Sequence, residues 1–264
     1  MHKSFALITG ASSGIGLEIA KQLGIRKYNL LLVSNQPSEL DELKISLSEQ
    51  YNIVVETLSI DLTEDSSAES VYTYCKEHDF EIEVLVNNAG FFFFGQAVDA
   101  SPIAASKMMH LHINTTSLLC TYFGKEMRKR KKGYILNTSS ISAYKDFPGI
   151  AYYGSSKSYI KSFTRSLRTE LKRYGIHVTC LLPGATATNL YDPNVVNVPR
   201  AKRLGIMLSA EFVAKKGIRA LFHNRSKVVP GFVTKLMNGM ARITPHWLIY
   251  LISKKVKSFN ETSK

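Results

Sequence analysis

The sequence predicts an α/β fold built on one doubly wound parallel sheet, with about seven strands and helices on both faces. Short apolar runs rich in β-branched residues alternate with helical patterns for most of the chain, as in right-handed βαβ units. The 264 residues suffice for one large domain of this kind, and 45% apolar and 21% charged residues are ordinary globular values. We therefore predict one domain over residues 1–264 with a less regular C-terminal appendage.

Seven runs have the length and composition of strands. They are Phe5–Thr9, Asn29–Ser34, Ile53–Ser59, Glu83–Asn87, Tyr134–Thr138, His177–Leu182 and Lys227–Val229. Helical patterns separate them and begin at Gly14, Ser38 and Glu64. Further helical patterns cover Pro102–Lys131 as a long pair, Tyr153–Tyr174, a stretch from the N-cap Ser209 to Phe222, and Gly231–Thr244. This strand–helix order predicts the parallel sheet.

The ends of the chain and the cysteines predict a cytoplasmic protein. The N-terminus runs straight into a strand and leaves no room for a signal peptide. No apolar run approaches the ~20 residues that a membrane-spanning helix needs. Cys75, Cys120 and Cys180 are far apart and form no CxxC motif, so we expect reduced thiols and predict no metal site.

Positive charge is concentrated at the C-terminal end. The net charge is +13, and residues 191–264 contribute +11 of it, with 14 Lys or Arg against three acids. Such a segment suits an anionic partner, such as a membrane surface or an acidic substrate, or is a solvated surface. No nucleic-acid-reading motif accompanies the charge, so we predict no nucleic-acid partner.

A glycine-rich turn joins the first strand to the first helix. In the segment from Thr9 to Gly16, Gly10 permits a sharp turn, Gly14 permits close approach of a pyrophosphate, and Gly16 permits close packing of helix on sheet. The free N–H groups and positive dipole end of the helix attract the phosphates. The turn thus predicts a dinucleotide site in a Rossmann-like fold, with these contacts: Gly10, Ser12, Ser13, Gly14, Ile15 and Gly16.

The end of the second strand bears on cofactor choice. Folds that bind NAD commonly place an acid there for the ribose 2′-hydroxyl, and Val33 to Pro37 contain neither an acid nor an arginine. Ser34 and Asn35 offer hydrogen bonds to a 2′-phosphate. The pattern favours NADP(H) and does not exclude NAD(H).

Tyr153 and Lys157 lie at positions i and i+4 of a predicted helix, so they share one face. A tyrosine with its usual pKa of about 10 is a poor base at neutral pH, and a neighbouring ammonium lowers that pKa. Such a tyrosine can exchange a proton with a carbinol oxygen. Tyr152 is the adjacent alternative, but it has serine and not lysine four residues on.

The ordered set of motifs over residues 4–190 resembles the short-chain dehydrogenase/reductase family in its single-domain form. The set comprises TGASSGIG at 9–16, Asp61-Leu62, NNAG at 87–90, Asn114, Ser140, YGSSK at 153–157, and Pro183-Gly184 with Thr188. The resemblance implies hydride transfer between a nicotinamide cofactor and a ketone or secondary alcohol. It also implies a homodimer or homotetramer.

The resemblance implies catalytic roles for four residues. Tyr153 would be the acid/base, and Lys157 would lower its pKa and bind the nicotinamide ribose. Ser140, in preference to Ser139, would hydrogen-bond the substrate carbonyl. Asn114 would hold a water behind Lys157, or is a buried capping residue.

Further residues would contact the cofactor. Asp61, with Leu62, would contact the adenine, or Asp61 caps the helix at Glu64. The remaining expected contacts are Asn88, Ala89, Gly90, Pro183, Gly184, Thr186 and Thr188.

Three segments bear on the substrate. Phe92, Phe93 and Phe94 follow the NNAG motif and predict an apolar wall, or belong to the core. Residues 186–208 correspond to a variable, basic substrate lid. Residues 231–264 form a tail that is either an interfacial amphipathic helix on an anionic membrane or a helix that packs on the domain or covers the site.

These observations favour an NADP(H)-dependent oxidoreductase for a bulky apolar ketone or alcohol, with long-chain 3-oxoacyl or sphingoid-type ketones preferred. A hydroxysteroid dehydrogenase is the alternative enzyme. A nucleotide-sensing or membrane-binding scaffold is the alternative without catalysis, and the complete catalytic set argues against it.

Overall fold

A computed structural model of the chain describes residues 4–188 and 207–255. Its sheet contains seven parallel strands, and two short strands pair outside it. The strands of the main sheet are β1 (Ser4–Thr9), β2 (Asn29–Ser34), β3 (Val55–Ser59), β4 (Glu81–Asn87), β5 (Gly133–Thr138), β6 (Ile176–Leu181) and β9 (Lys227–Val228). Their order is β3-β2-β1-β4-β5-β6-β9, which confirms the predicted doubly wound sheet.

Seven helices lie between these strands in chain order, and two more follow the last strand in the described part of the chain. They are α1 (Gly14–Ile25), α2 (Pro37–Tyr51), α3 (Ser67–Glu77), α4 (Pro102–Met109), α5 (Thr116–Arg130), α6 (Ala151–Leu171), α7 (Ala210–Phe222), α8 (Phe232–Ile243) and α9 (His246–Lys255). A π-helical turn over His110–Thr115 joins α4 to α5. The predicted long pair is thus one nearly continuous rod with an irregular turn in its middle.

The sheet is buried on both faces because successive side chains of a strand point to opposite sides. Phe5 and Leu7 of β1 pack with α3 and α5 in one core, and Ala6 and Ile8 pack with α1, α2 and α7 in the other. Strands covered on both faces read as continuous apolar runs, which is the pattern that the sequence shows.

Element boundaries differ from the sequence predictions by a few residues. The third helix begins at Ser67 and not at Glu64, because residues 61–64 form a turn in which the backbone N–H of Glu64 donates to the carbonyl of Asp61. The strand pair β7 (Thr186–Ala187) and β8 (Leu208–Ser209) was not predicted. Two-residue strands carry too little periodicity to be recognised.

Most of the predicted lid and the end of the tail lie outside the described residues, which omit 189–206 and 256–264. Within the described part, no helix is both long and apolar enough to cross a membrane. All three cysteines are buried and free.

Candidate active site

A cleft of about 1040 Å³ opens at the C-terminal edge of the sheet, where the strand order reverses between β1 and β4. Ligands of open α/β sheets bind at such switch points. The loops after β1 to β6 contribute its lining, and α8 closes one side. The position of the cleft follows from the topology alone.

The glycine-rich turn forms one end of the cleft. Gly10 and Gly14 have φ angles of +62° and +56°, in the left-handed region that favours glycine. A Cβ atom on Gly10 would lie 2.9 Å from the Cα of Ala89, and one on Gly14 would lie 3.0 Å from Cγ2 of Thr188. Gly16 does not line the cleft; a Cβ there would collide with the backbone oxygen of Gly10. Gly16 therefore serves helix–strand packing.

The N-terminus of α1 fits a phosphate group. The first turn of α1 contains no acid, and the side chain of its N-cap, Ser13, makes no capping hydrogen bond. The backbone N–H groups at this end therefore remain available to an anion. Gly10 and Gly14 have no side chains that would fill the turn. Together with the free N–H groups, this arrangement fits the pyrophosphate of a dinucleotide.

The loop after β2 lines the cleft next to the glycine-rich turn. Ser34 is buried and donates a hydrogen bond to Oγ of Ser12 at 2.9 Å, while Asn35 is exposed. Glu39, in the first turn of α2, also lines the cleft. The sequence analysis missed this acid because it lies five residues beyond the strand end.

Asp61 both lines the cleft and stabilises a turn. Its Oδ1 accepts hydrogen bonds from the backbone N–H and the hydroxyl of Thr63, at 2.9 and 2.8 Å. The backbone hydrogen bond from Thr63 is the main cause of the lowered pKa of Asp61. Because α3 begins only at Ser67, Asp61 is not its N-cap.

Hydrogen bonds join the NNAG segment, which begins at the end of β4, to the loop that follows β1. Asn88 donates from Nδ2 to the carbonyls of Thr9 and Gly10, both at 3.3 Å, and Thr9 accepts the backbone N–H of Asn88 and Ala89 through its hydroxyl. These bonds fix the loops after β1 and β4 against each other. The other expected cofactor contacts, from the loops after β3, β4 and β6, also line the cleft: Leu62, Gly90, Pro183, Gly184, Thr186 and Thr188.

Tyr153, Lys157 and Ser140 meet at the other end of the cleft. Nζ of Lys157 lies 5.6 Å from the ring centroid of Tyr153 and donates to the carbonyl of Thr138 at 3.2 Å. Burial lowers the pKa of Lys157 to about 8. A phenol beside such an ammonium is suited to proton exchange with a substrate oxygen.

The two serines after β5 differ in what they contact. Ser139 is buried and donates its hydroxyl hydrogen to the carbonyl of Lys157 at 2.7 Å. Ser140, which lines the cleft together with Ser139, accepts the backbone N–H of Ser142 through its Oγ at 3.1 Å. The hydroxyl hydrogen of Ser140 is thus not required by that bond and can be donated to a carbonyl in the cleft.

Asn114 does not lie where the resemblance suggested. Its side chain is exposed and contacts Nδ1 of His110 at 3.4 Å, and it does not line the cleft. His112 is the residue of this turn that lies behind Lys157. The π-helical turn from His110 to Thr115 explains the difference, because its wider i→i+5 geometry rotates side chains away from their α-helical directions.

The aromatic wall is displaced by one residue from its expected place. Phe91 and Phe92 line the cleft, and Phe92 packs edge-on against Tyr153 with centroids 5.0 Å apart. Phe93 packs on Tyr152, and neither Phe93 nor Phe94 lines the cleft. Of the three expected residues, Phe92 alone lines the cleft, and Tyr152 does not line it.

Further apolar lining comes from the C-terminal tail, which the sequence analysis left as one possible cover of the site, and from segments that it did not name. Helix α8 lies over the loop after β6, where a Cβ on Gly184 would be 2.7 Å from Cγ2 of Thr234. The additional apolar residues of the lining are Leu111, Ile141, Phe147, Ile150, Met237 and Ala241. These side chains add apolar surface to the cleft.

Comparison with known proteins agrees with this geometry. The family model of short chain dehydrogenases matches residues 4–197. The chain is 31% identical over 232 residues to hydroxysteroid dehydrogenase-like protein 1 of Gallus gallus, covering 86% of this chain and 68% of that protein. It is 26% identical over 263 residues to very-long-chain 3-oxoacyl-CoA reductase of Rattus norvegicus, covering 98% and 80%.

The fold also matches solved structures. A short-chain dehydrogenase from Sphingobium yanoikuyae, in complex with NADPH, superimposes with a TM-score of 0.80 at 24% identity, over 96% of each chain. With the family model covering most of the chain, the motifs in order and the tyrosine–lysine pair in the cleft, this chain belongs to the short-chain dehydrogenases, the NAD(P)-dependent oxidoreductases that act on CH–OH and C=O groups.

Proposed function

We propose that the protein is an NADP(H)-dependent oxidoreductase for a bulky apolar ketone or secondary alcohol, with long-chain 3-oxoacyl or sphingoid-type ketones as the preferred class. The observation that carries the proposal is the apolar wall of the cleft, to which Phe91, Phe92, Ile150 and Met237 contribute and in which Phe92 packs against Tyr153. Such a wall binds alkyl groups by burying them from water and gives a charged or sugar-like substrate few partners.

The cofactor supplies the hydride, and the side chains of the cleft hold the substrate oxygen and its proton. Ser140 donates a hydrogen bond to that oxygen, and the hydroxyl of Tyr153 gives or takes the proton. Lys157 holds a positive charge beside Tyr153, which favours the phenolate during the transfer. The NADPH bound by the Sphingobium relative and the lack of an acid at the end of β2 support NADP(H).

The substrate class is tested by following NADPH oxidation with 3-oxoacyl thioesters, sphingoid ketones and steroid ketones at matched concentrations. We expect turnover of one of the long-chain classes and loss of that turnover in Tyr153→Phe. Preferential turnover of steroids would favour a hydroxysteroid dehydrogenase, the activity that the name of the Gallus relative suggests. NADPH binding without turnover of any of these ketones would contradict the proposal and favour a nucleotide-sensing scaffold.

We also propose that the outer face of α8 and α9 contacts an anionic membrane surface. Phe232, Leu236, Met240 and Ile243 form one helical stripe and are 81%, 55%, 59% and 82% exposed, and Trp247 extends it onto α9. The surrounding C-terminal segment carries most of the net positive charge. An exposed apolar stripe in a basic segment is typical of an interfacial helix.

Sedimentation with vesicles of phosphatidylcholine, with and without phosphatidylserine, tests this contact. We expect binding to the anionic vesicles that the double substitution of Phe232 and Ile243 by serine removes, whereas Ile45→Ser, at an apolar side chain of α2 that is 62% exposed, leaves it unchanged. Equal sedimentation of all three proteins contradicts the contact. Light scattering gives the molecular mass of the same proteins. A mass that falls in the double variant would show that this face joins two copies instead, and a mass of two or four chains in all variants would agree with the homodimer or homotetramer that the family resemblance implies through α5 and α6.

A further inference from the structure

Lys161 lies one helical turn beyond Lys157 on α6, and the proposed mechanism does not use it. Positions 153, 157 and 161 are each four residues apart, so Tyr153, Lys157 and Lys161 form one stripe along the same side of the helix. Lys161 is partly buried and does not line the cleft. A partly buried ammonium needs hydrogen-bond acceptors, so its contacts indicate what it does.

The contacts of Lys161 are with the short 3₁₀ turn Ile141–Tyr144, which directly follows Ser140. Its ammonium donates a hydrogen bond to the backbone carbonyl of Ala143 and lies over the ring of Tyr144, 4.4 Å from the ring centroid. A hydrogen bond from a charged donor is stronger than one between neutral groups, and the face of an aromatic ring attracts a cation. Both contacts therefore tie this turn to α6.

Ala143 connects the ammonium with the serine that is proposed to bind the substrate oxygen. The carbonyl of Ala143 faces α6, and its backbone N–H donates to the carbonyl of Ser140 at 3.2 Å. Oγ of Ser140 accepts the backbone N–H of Ser142, the residue before Ala143, at 3.1 Å. A single residue thus separates the contact of Lys161 from Ser140.

The carbonyl of Ala143 has a second donor, which separates the role of Lys161 from the need to satisfy a buried group. Oγ of Ser158, also on α6, donates to this carbonyl at 3.2 Å. One partner is enough for a buried carbonyl, so the ammonium is not required for that purpose. A carbonyl oxygen has two lone pairs, and two donors fix its direction more closely than one.

The other side of the turn is held by the loop after β6 and by α8. The backbone N–H of Ile141 donates to the carbonyl of Pro183 at 3.0 Å, and α8 packs against the turn. Ile141 and Ser142 line the cleft beside Ser140. A rotation of the turn would therefore move the hydroxyl of Ser140 relative to that of Tyr153.

We propose that Lys161 is a positioning residue for Ser140. Through Ala143 it holds the turn in the orientation in which the hydroxyl groups of Ser140 and Tyr153 reach the same substrate oxygen. The inference rests on the proposed roles of these two residues in the oxidoreductase, and it deepens them. Lys161 contacts the turn and not the cleft, so its effect on catalysis passes through Ser140.

The first test is a double-mutant cycle with Ser140→Ala, measured by NADPH oxidation with a long-chain 3-oxoacyl thioester. Lys161→Met keeps the alkyl stem and removes the ammonium. We expect kcat to fall by about tenfold with little change in KM, because a small displacement of a positioned group has a cost of this order. In Ser140→Ala the positioned hydroxyl is already absent, so adding Lys161→Met should change kcat by less than about twofold.

The matched control for this cycle is Lys172→Met. Lys172 is an exposed lysine just beyond the C-terminal end of α6, and it does not contact the turn. We expect this variant to keep the wild-type kcat. The control thus separates loss of the ammonium at position 161 from a change in the overall charge of the protein.

The second test is hydrogen exchange of the nucleotide-free protein, followed by mass spectrometry. We expect the amides of residues 141–144 to exchange about tenfold faster in Lys161→Met than in wild type, because the turn opens more often without the ammonium. The amides of β5 and those of the turn in Lys172→Met should exchange at wild-type rates. This measurement needs neither substrate nor cofactor, so failure of the proposal is distinguishable from failure of the proposed oxidoreductase activity.

Losses of kcat that add in the double variant, or unchanged exchange of residues 141–144 in Lys161→Met, would overturn the proposal. Faster exchange throughout the domain would also overturn it, because it would show general destabilisation. If the thioester is not turned over, the exchange measurement decides alone. If Lys161→Met does not fold, Ser158→Ala replaces it in both measurements, since it removes the other donor to the same carbonyl.

Discussion

Ser139 donates a hydrogen bond to the backbone carbonyl of Lys157 at 2.7 Å, which ties the end of β5 to the helix that carries the catalytic pair. The same strand end delivers the carbonyl of Thr138 to Nζ of Lys157. Lys157 is therefore held at both its backbone and its side chain. The rigid support limits how far the ammonium can move from Tyr153.

We predict different effects on catalysis for the two neighbouring serines. Ser139→Ala removes a buried hydrogen bond and should lower the free energy of unfolding by about 1 kcal/mol, as measured by urea denaturation, with little effect on kcat/KM. Ser140→Ala loses the hydrogen bond from the Ser142 backbone N–H, so it should lower that free energy by a similar amount, and it should also reduce kcat/KM by about 100-fold because a donor to the substrate oxygen is lost. A larger activity loss in Ser139→Ala would reverse the assignment.

Tyr153→Phe should reduce kcat by about 10²–10⁴-fold, because the proton donor is removed while the ring remains. Binding of NADPH, measured by fluorescence titration, should change little. Tyr152→Phe is the matched control, since Tyr152 packs on Phe93 outside the cleft, and it should retain activity. Full activity in Tyr153→Phe would refute the assignment of the acid/base.

The lowered pKa of Lys157 predicts a pH-dependent contribution to stability. Its folded pKa of about 8 lies below the usual 10.5, so between these values the unfolded chain binds more protons and this group makes stability rise with pH. Below pH 8 the full cost of burying the ammonium is present. Lys157→Met should therefore be stabilised relative to wild type at pH 7, by up to about 3 kcal/mol, and the advantage should vanish toward pH 10.5.

Chemical denaturation of both proteins from pH 7 to 10.5, without nucleotide, measures that difference. A difference that is constant over the range would show that the ammonium is not buried as the structure places it.

Glu39 should weaken the binding of NADPH more than that of NADH, because its carboxylate repels a 2′-phosphate at this end of the cleft. We predict that Glu39→Gln lowers the Kd for NADPH about threefold to tenfold at low ionic strength, with a smaller effect at high salt. Glu42→Gln, an exposed acid of the same helix that does not line the cleft, is the control. Equal changes for both nucleotides would place the carboxylate away from the ribose.

The sheet and most of the nucleotide end could be predicted because they depend on local signals. The positive φ angles at positions 10 and 14 favour glycine, which makes the turn visible in the sequence. The strands are recognised as short apolar runs between helices. Asn114 and His112 could not be told apart, because the π-helical turn changes which side of the rod each residue faces. Phe91 belongs to the same run of four phenylalanines as the expected residues, and the run forms neither a strand nor a helix, so no periodicity tells which of its rings reach the cleft.

The sequence left open whether the C-terminal tail covers the site. Met237 and Ala241 are far from the catalytic motifs in sequence, and the packing of Thr234 on Gly184 helps to place α8 over the cleft. The amphipathic pattern of α8 indicates a helix with one packed face but gives no information about what it packs on.

Helix α8 has two apolar sides with separate duties, since Met237 and Ala241 border the cleft while Phe232, Leu236 and Ile243 face outward. A membrane bound to the outer side, as proposed above, would contact the same helix that lines the cleft. Substitutions that shift α8 should therefore change both the proposed membrane contact and the choice of substrate.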